Sequence, residues 1–231
     1  MNGQALREAI IATALQMNAL RINQGKSGNV SARYAAPEGS SVDGFLITPS
    51  GLRYEDTKPE DLAWMSLSAA DEQAFSGPRL PSSEWRFHRD IYRARSDVRA
   101  IVHTHGVHST TLACLDRPIP AFHYMVAIAG GADIRCAAYA TFGTQELSDA
   151  VLLALQDRHA CLLSHHGMIA TGATLAAALA LALEVETLAQ MYAQALQIGE
   201  PRVLPDSEME RVVEKFRTYG QSAINSGRTP R

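Results

Sequence analysis

The 231-residue chain holds only three cysteines, Cys114, Cys136 and Cys161, far apart and without a C-x-x-C pair. A set that is odd in number and scattered argues against a disulfide framework and reads as reduced core thiols of a cytoplasmic protein. Lysine is equally scarce: 18 of the 21 basic residues are arginine, and Lys26, Lys58 and Lys215 are the exceptions. No basic excess exists either, since the formal net charge is −3; neither nucleic acid nor an anionic membrane surface is indicated as a partner. The first residues, MNGQALREAI, carry an early acidic group and no apolar signal core, so no signal peptide is expected. The most apolar run, Leu175 to Leu183, stops at Glu184 and reads as too short for a membrane span. H-E-x-x-H, G-x-S-x-G and G-x-x-x-x-G-K-[ST] are all missing, which removes the common zinc-protease helix, the hydrolase nucleophile elbow and the P-loop.

What is present is apolar material for one large core. The hydrophobic set makes up 46% of residues and charged residues 19%, a balance that excludes overall disorder. Leu6, Ile10, Ala14, Met17 and Leu20 mark an amphipathic helix over about 4–20. Strands are expected at 30–33, 44–48, 100–104 and 161–164, with a strand or hairpin and then a loop within 66–80. Further helices are expected from about 82 to 95, capped by Ser82 and Ser83, and over 107–115, 144–157, 174–197 and 206–218. Residues 119–125 read as extended and 35–43 as a turn-rich excursion. Nothing resembles a linker between two cores. The chain reads as one α/β domain over 1–220 with a frayed tail at 221–231.

Seven of the eight histidines lie between His103 and His166. His103 and His105 flank Thr104 on a predicted strand, where positions two apart project to the same face. Two imidazoles so placed suit zinc, which usually keeps three protein ligands in catalytic sites. Such a pair serves at least as often in a core or a cap. The third ligand is sought in Ser164-His165-His166-Gly167, with His166 before a glycine suited to a sharp turn and His165 facing away. His108 and His123 are weaker candidates. Val107 stands where dinuclear hydrolases need a carboxylate, so the pattern favours one metal.

Three segments could offer convergent N–H groups to an anion: Gly25 to Asn29, the turn Pro49-Ser50-Gly51, and the helix start Ser82-Ser83. Each alone is equally well a turn or a cap. Glu84 follows immediately. It suits the helix dipole there, or serves as a general acid/base within reach of both phosphate and metal. None of the three lysines lies in an apolar strand that would lower its pKa, which favours a metal over an imine.

The segments NQGKSGNVSARY, GFLITPSG, LPSSEWRFH, IVHTHGVH, IPAFHYM, YATFGTQELS, SHHG and EKFRTYG, in this order, closely resemble the zinc-dependent class II aldolase/adducin family, in particular those members that cleave L-fuculose 1-phosphate. The resemblance implies a three-layer α/β/α fold with a central, largely antiparallel sheet. It implies a homotetramer with active sites between subunits and one Zn2+ in each. It implies His103, His105 and His166 as zinc ligands, and Glu84 as acid/base and occasional ligand. Gly28, Asn29, Ser50, Gly51, Ser82 and Ser83 match the phosphate cradle. Tyr124 matches a proton donor from the neighbouring subunit, and Phe142, Phe216 and Tyr219 the aldehyde side. The expected substrate is a ketose 1-phosphate: L-fuculose 1-phosphate, or a 5-deoxy- or 5-methylthiopentulose 1-phosphate. A pentulose-phosphate 4-epimerase and, remotely, a non-enzymatic adducin-like module are the alternatives.

Overall fold

A computed structural model describes residues 3–35, 43–68 and 74–218. Most of the 35–43 excursion, the tail at 221–231 and Tyr219 lie outside the described residues. In chain order the elements are α1 (Gly3–Ala19), β1 (Asn29–Arg33), β2 (Gly44–Ile47), β3 (Ala63–Ser66), β4 (Phe75–Ser76), α2 (Trp85–Ala94), β5 (Ala100–Thr104), α3 (Val107–Ala113), β6 (Cys136–Ala137), α4 (Gln145–Ala154), β7 (Ala160–Leu163), β8 (Gly167–Gly172), α5 (Leu175–Ile198) and α6 (Asp206–Thr218). Short 3-10 turns occupy Tyr54–Asp56, Pro59–Asp61 and Tyr124–Ala129.

The strands form one eight-stranded sheet in the order β4-β3-β2-β1-β5-β8-β7-β6. Every pairing is antiparallel except that of β6 with β7. Alternation along the strands divides the core into two. Val30, Ala32, Leu46, Val102, Leu162, Met168 and Ala170 face the layer that holds α1, α3 and α5. Phe45, Ile47, Ile101, Cys161, Leu163 and Ile169 face α2 and α4. This is the expected three-layer arrangement, and both faces of the central strands are dry. Burying one such aliphatic side chain contributes about 1.5–3 kcal/mol, so the middle of the sheet is its most firmly held part.

That middle carries the site. Asn29 on β1 pairs with His103 on β5, and His103 pairs with Ile169 on β8. By strand parity Asn29, Ser31 and His103 all face α2.

Three expectations need correction, and one strand was not expected. Ser82 is not the N-cap of α2, a place Glu84 takes without a side-chain cap bond, although Ser82 Oγ accepts the Glu84 backbone N–H at 3.3 Å; Ser83 is exposed. A tight turn, Trp85 N to Ser82 O at 3.1 Å, precedes the helix instead. Residues 119–125 are extended only at their start, where Ile119 bridges Ile134; from Tyr124 the chain winds into a 3-10 turn with His123 as N-cap. Strand β8 escapes the periodicity because MIAT between two glycines is too short and too apolar to alternate. Finally, α5 as a whole is long and apolar enough to cross a membrane, with its most apolar window half buried. Ala178, Ala182, Val185, Leu188 and Ala189 are fully buried against the sheet, which makes it a core helix of this fold.

Candidate metal centre and anion cradle

β5 is buried along all five residues, yet it carries His103 near its end and is followed at once by His105. His103 Nδ1 lies 2.9 Å from the Met168 carbonyl oxygen on β8. A carbonyl only accepts, so Nδ1 carries a hydrogen and Nε2 is turned toward Glu84 at the start of α2. His105 Nε2 lies 2.9 Å from His103 Nε2. The backbone N–H of His105 donates to Asn23 Oδ1 at 3.1 Å, which ties the end of β5 to the loop before β1.

His166 comes from the tight connection between β7 and β8. The left-handed residue there is His165 (φ 53), not the glycine expected to make the turn. Gly167 is required for a different reason. A Cβ on it would strike the Thr104 carbonyl oxygen and approach His105 Cδ2 to 3.1 Å, so only glycine lets this turn close on β5. His165 is exposed and His166 half-buried, as the opposite facing of neighbours requires.

One ligand atom each from Glu84, His103, His105 and His166 lies within 4.8 Å of the others. Glu84 Oε2 is 3.1 Å from His103 Nε2, and Glu84 Oε1 is 3.0 Å from His166 Nε2. Although that close, Glu84 Oε1 has no aligned donor and is a buried acceptor without a hydrogen bond. Burial would push the Glu84 carboxyl up, but His103 and His166 outweigh it and hold the group well below the usual carboxylate range. Burial, with His103 and His166 nearby, pushes His105 down to about 3 and keeps it neutral. A buried carboxylate and three imidazole rings converging on one point form a donor set that fits a divalent cation.

The three segments expected to offer N–H groups to an anion meet beside this cluster. Ser82 N donates to Thr48 O at 3.0 Å and Ser50 N to Leu80 O at 3.0 Å, which pins the Pro49–Gly51 turn against Ser82. Lys26 Nζ donates to Gly51 O at 2.7 Å, joining the first segment to the second. Asn29 Nδ2 donates both to Ser82 Oγ at 3.0 Å and to Glu84 Oε2 at 2.8 Å, so one amide spans cradle and cluster. Gly28 allows a close approach, though to protein: a Cβ would strike the His103 carbonyl oxygen and lie 2.9 Å from Asn23 Oδ1. Ser83 is exposed and its carbonyl packs on Gly143, which brings Phe142 alongside.

A cavity of about 550 Å3 opens beside the cluster and is lined by Gln24, Ser27, His105, Val107, Thr110 and His166. Tyr124 and Phe216 are elsewhere. They line a separate cavity of about 560 Å3 against α6, which none of the four cluster residues lines. Tyr124 is half exposed and lies against His123, ring centroids 4.8 Å apart and planes tilted by 39°. Of the weaker histidine candidates, His108 offers its backbone N–H to Glu186, and His123 caps its turn.

The sequence reading missed His88, Ser31 and Tyr92, which line up beneath Asn29. It also missed Glu186, whose carboxylate receives the N–H groups of His108 at 2.7 Å and Ser109 at 2.9 Å. The four-residue spacing of Glu84, His88 and Tyr92 opposite the two-residue spacing of Asn29 and Ser31 was the available signal for the first group. Glu186 lies too far along the chain from α3 for any local signal.

Residues 8–193 match the family described as Class II Aldolase and Adducin N-terminal domain. A 5-methylthioribulose-1-phosphate/5-deoxyribulose-1-phosphate aldolase of Rhodospirillum rubrum is 58% identical over 95% of this chain and 94% of its own. An L-fuculose phosphate aldolase of Escherichia coli strain K12 is 49% identical over 95% of this chain and 98% of its own. A solved L-fuculose 1-phosphate aldolase structure superposes with a TM-score of 0.85 at 38% identity, covering 94% of this chain and 98% of that one.

Proposed function

The chain belongs to the class II aldolase and adducin family, and from that premise we propose that it cleaves a ketose 1-phosphate reversibly to dihydroxyacetone phosphate and an aldehyde. The observation that carries the reading is the Asn29 amide, bonded at once to Ser82 in the cradle and to Glu84 in the cluster. It supports a phosphate site and an acid/base that lie one side chain apart.

In this reading Asn29, Ser50, Gly51, Ser82 and Ser83 hold the phosphate, with Gly28 shaping the loop, and orient the three-carbon half of the substrate. His103, His105 and His166, with Glu84 as an occasional fourth, hold a divalent cation that we take to be zinc, which when bound supplies Lewis-acid stabilisation of negative charge on the substrate's oxygens. Glu84 delivers a proton to C3 of the three-carbon fragment after the C3–C4 bond breaks, and removes it in the condensation direction. Tyr124 takes the C4 hydroxyl proton. It lines a cavity apart from the cluster, which suits a donor presented by a neighbouring subunit of a homotetramer. Phe142, Phe216 and Tyr219 are assigned to the aldehyde side. The R. rubrum relative supports a 5-deoxy- or 5-methylthiopentulose 1-phosphate as substrate, and the E. coli relative supports L-fuculose 1-phosphate.

The test is a panel of these three ketose 1-phosphates with the aldehyde trapped as it forms. Free aldehyde and dihydroxyacetone phosphate are expected, chelator should abolish them, and added zinc should restore them. His105→Ala should lose both metal and cleavage. Activity indifferent to chelator, or a covalent adduct trapped by borohydride, would overturn the reading.

A further inference from the structure

Beneath the cradle and the acid/base, Asn29 and Glu84 lead into a row of buried polar groups, His88, Ser31 and Tyr92, to which the proposed mechanism gives no task. Glu84, His88 and Tyr92 recur every four residues and share one face of α2, advancing about 6 Å per step. Asn29 and Ser31 are two apart on β1, advancing about 6.6 Å per step. The two pitches nearly match, so helix and strand meet polar group to polar group. Ser31 Oγ lies 2.8 Å from the Tyr92 hydroxyl and 2.7 Å from His88 Nδ1. His88 Nε2 lies 2.5 Å from Asn29 Oδ1. Ser31 and His88 are fully buried, and Asn29 and Tyr92 nearly so.

The carboxylate at one end fixes the direction of each bond. Glu84 only accepts, so Asn29 turns its NH2 toward Glu84 and its Oδ1 toward His88. His88 must then donate from Nε2. Burial, with His103 nearby, pushes the His88 pKa down to about 3, so the ring is neutral and Nδ1 accepts from the Ser31 hydroxyl. Ser31 in turn accepts from Tyr92, whose phenol burial keeps protonated. Phe87 stacks on His88 at 4.7 Å and meets His103 edge-on at 5.5 Å, which limits rotation of the ring.

We infer that His88 is a positioning residue: it holds the Asn29 amide in the one orientation that serves both the phosphate cradle and Glu84, while Ser31 and Tyr92 fix its tautomer. A flipped amide would set Oδ1 against the Glu84 carboxylate and withdraw a donor from Ser82. The inference rests on the proposed aldolase reading for the roles of cradle and acid/base, but the ordering of Asn29 does not depend on the reaction.

The test compares His88→Leu, His88→Gln and Ser31→Ala with the parent chain. Folding is checked by circular dichroism, metal content is measured, and inorganic phosphate is titrated alongside kcat and KM for the ketose 1-phosphates. His88→Leu should retain metal, weaken phosphate about 10-fold and lower kcat/KM roughly 10–100-fold, the range for lost outer partners of a site. Ser31→Ala frees the tautomer and should shift both values in the same direction. His88→Gln keeps a donor near Nε2 and should recover most of the loss. Nitrogen-15 spectra of His88 should show Nε2–H in the parent chain and a mixture in Ser31→Ala. Parent-like phosphate binding and kcat/KM in a folded His88→Leu, or a His88→Gln as impaired as His88→Leu, would overturn the inference. A parent chain that cleaves none of the three sugars would sink the aldolase reading alone, since the phosphate titrations and spectra still decide the role of His88. If His88→Leu does not fold, Ser31→Ala and the spectra decide it.

Discussion

Two glycines fix how closely the site can assemble, and each is a single-residue constraint with a measurable cost. Gly28 and Gly167 both leave room for a carbonyl oxygen of β5, that of His103 in one case and of Thr104 in the other. The obstacle is backbone in a fully buried strand, so it cannot swing aside. Gly167→Ala should destabilise the fold by about 1–3 kcal/mol through overpacking, and push the His166 turn away from His105. The expected outcome is a lowered denaturation midpoint together with weaker metal retention on dialysis. Unchanged retention would mean that the turn yields without disturbing the ligands. The glycine itself could be read in the sequence as a turn signal. Its actual reason could not, because the Thr104 oxygen is brought to it only by the pairing of β5 with β8.

The start of α3 is held by a distant carboxylate, which no reading along the chain could find. Glu186 sits on α5, and its carboxylate receives the first N–H groups of α3, directly after the His105-Gly106 step. Glu186→Gln keeps the shape but turns an NH2 toward one of those donors. It should cost about 1–2 kcal/mol, seen as a fall of roughly 2–4 °C in Tm for each kcal/mol. Asp90 on α2 instead ties α4 down through side chains, taking bonds from Ser148 at 2.7 Å and Gln145 at 2.8 Å, besides Arg89 of its own helix at 2.7 Å. Burial would raise its pKa, but Arg89, Gln145 and Ser148 outweigh burial and lower it. A depressed carboxyl adds stability that is complete above the unfolded value of about 3.9 and fades as pH falls through the folded one. Asp90→Asn should therefore unfold at lower urea than the parent chain near pH 7, and the gap should close on acidification below about pH 4. A gap that persists there would assign the effect to packing. The helices themselves were legible, since α1, α5 and α6 follow from apolar periodicity almost to the residue. The start of α2 was not: Ser82 and Ser83 look like caps in sequence, yet Ser82 Oγ receives the amide of Asn29, a strand residue fifty-three positions earlier.

At the scale of the whole molecule, the cluster and Tyr124 belong to separate cavities of the same chain. If the active site is completed by a neighbour, then Tyr124→Phe and His105→Ala, each nearly inactive alone, should restore one another when co-assembled. Random mixing in a cyclic tetramer leaves about a quarter of the sites with both intact groups. Absence of any recovery after verified subunit exchange would place Tyr124 and the metal in one subunit. Motif order along the chain identified the three histidines, but their meeting depends on β5 and β8 being neighbours at the middle of the sheet. The same placement separates two events that are often fused in small metalloproteins. Because His103 stands on a strand buried on both faces and His105 and His166 directly adjoin such strands, removal by a chelator of an ion held by this cluster would be a matter of ligand exchange at a preformed nest, while melting is a matter of the sheet. Swapping one divalent ion for another should thus be a soaking experiment, requiring no refolding.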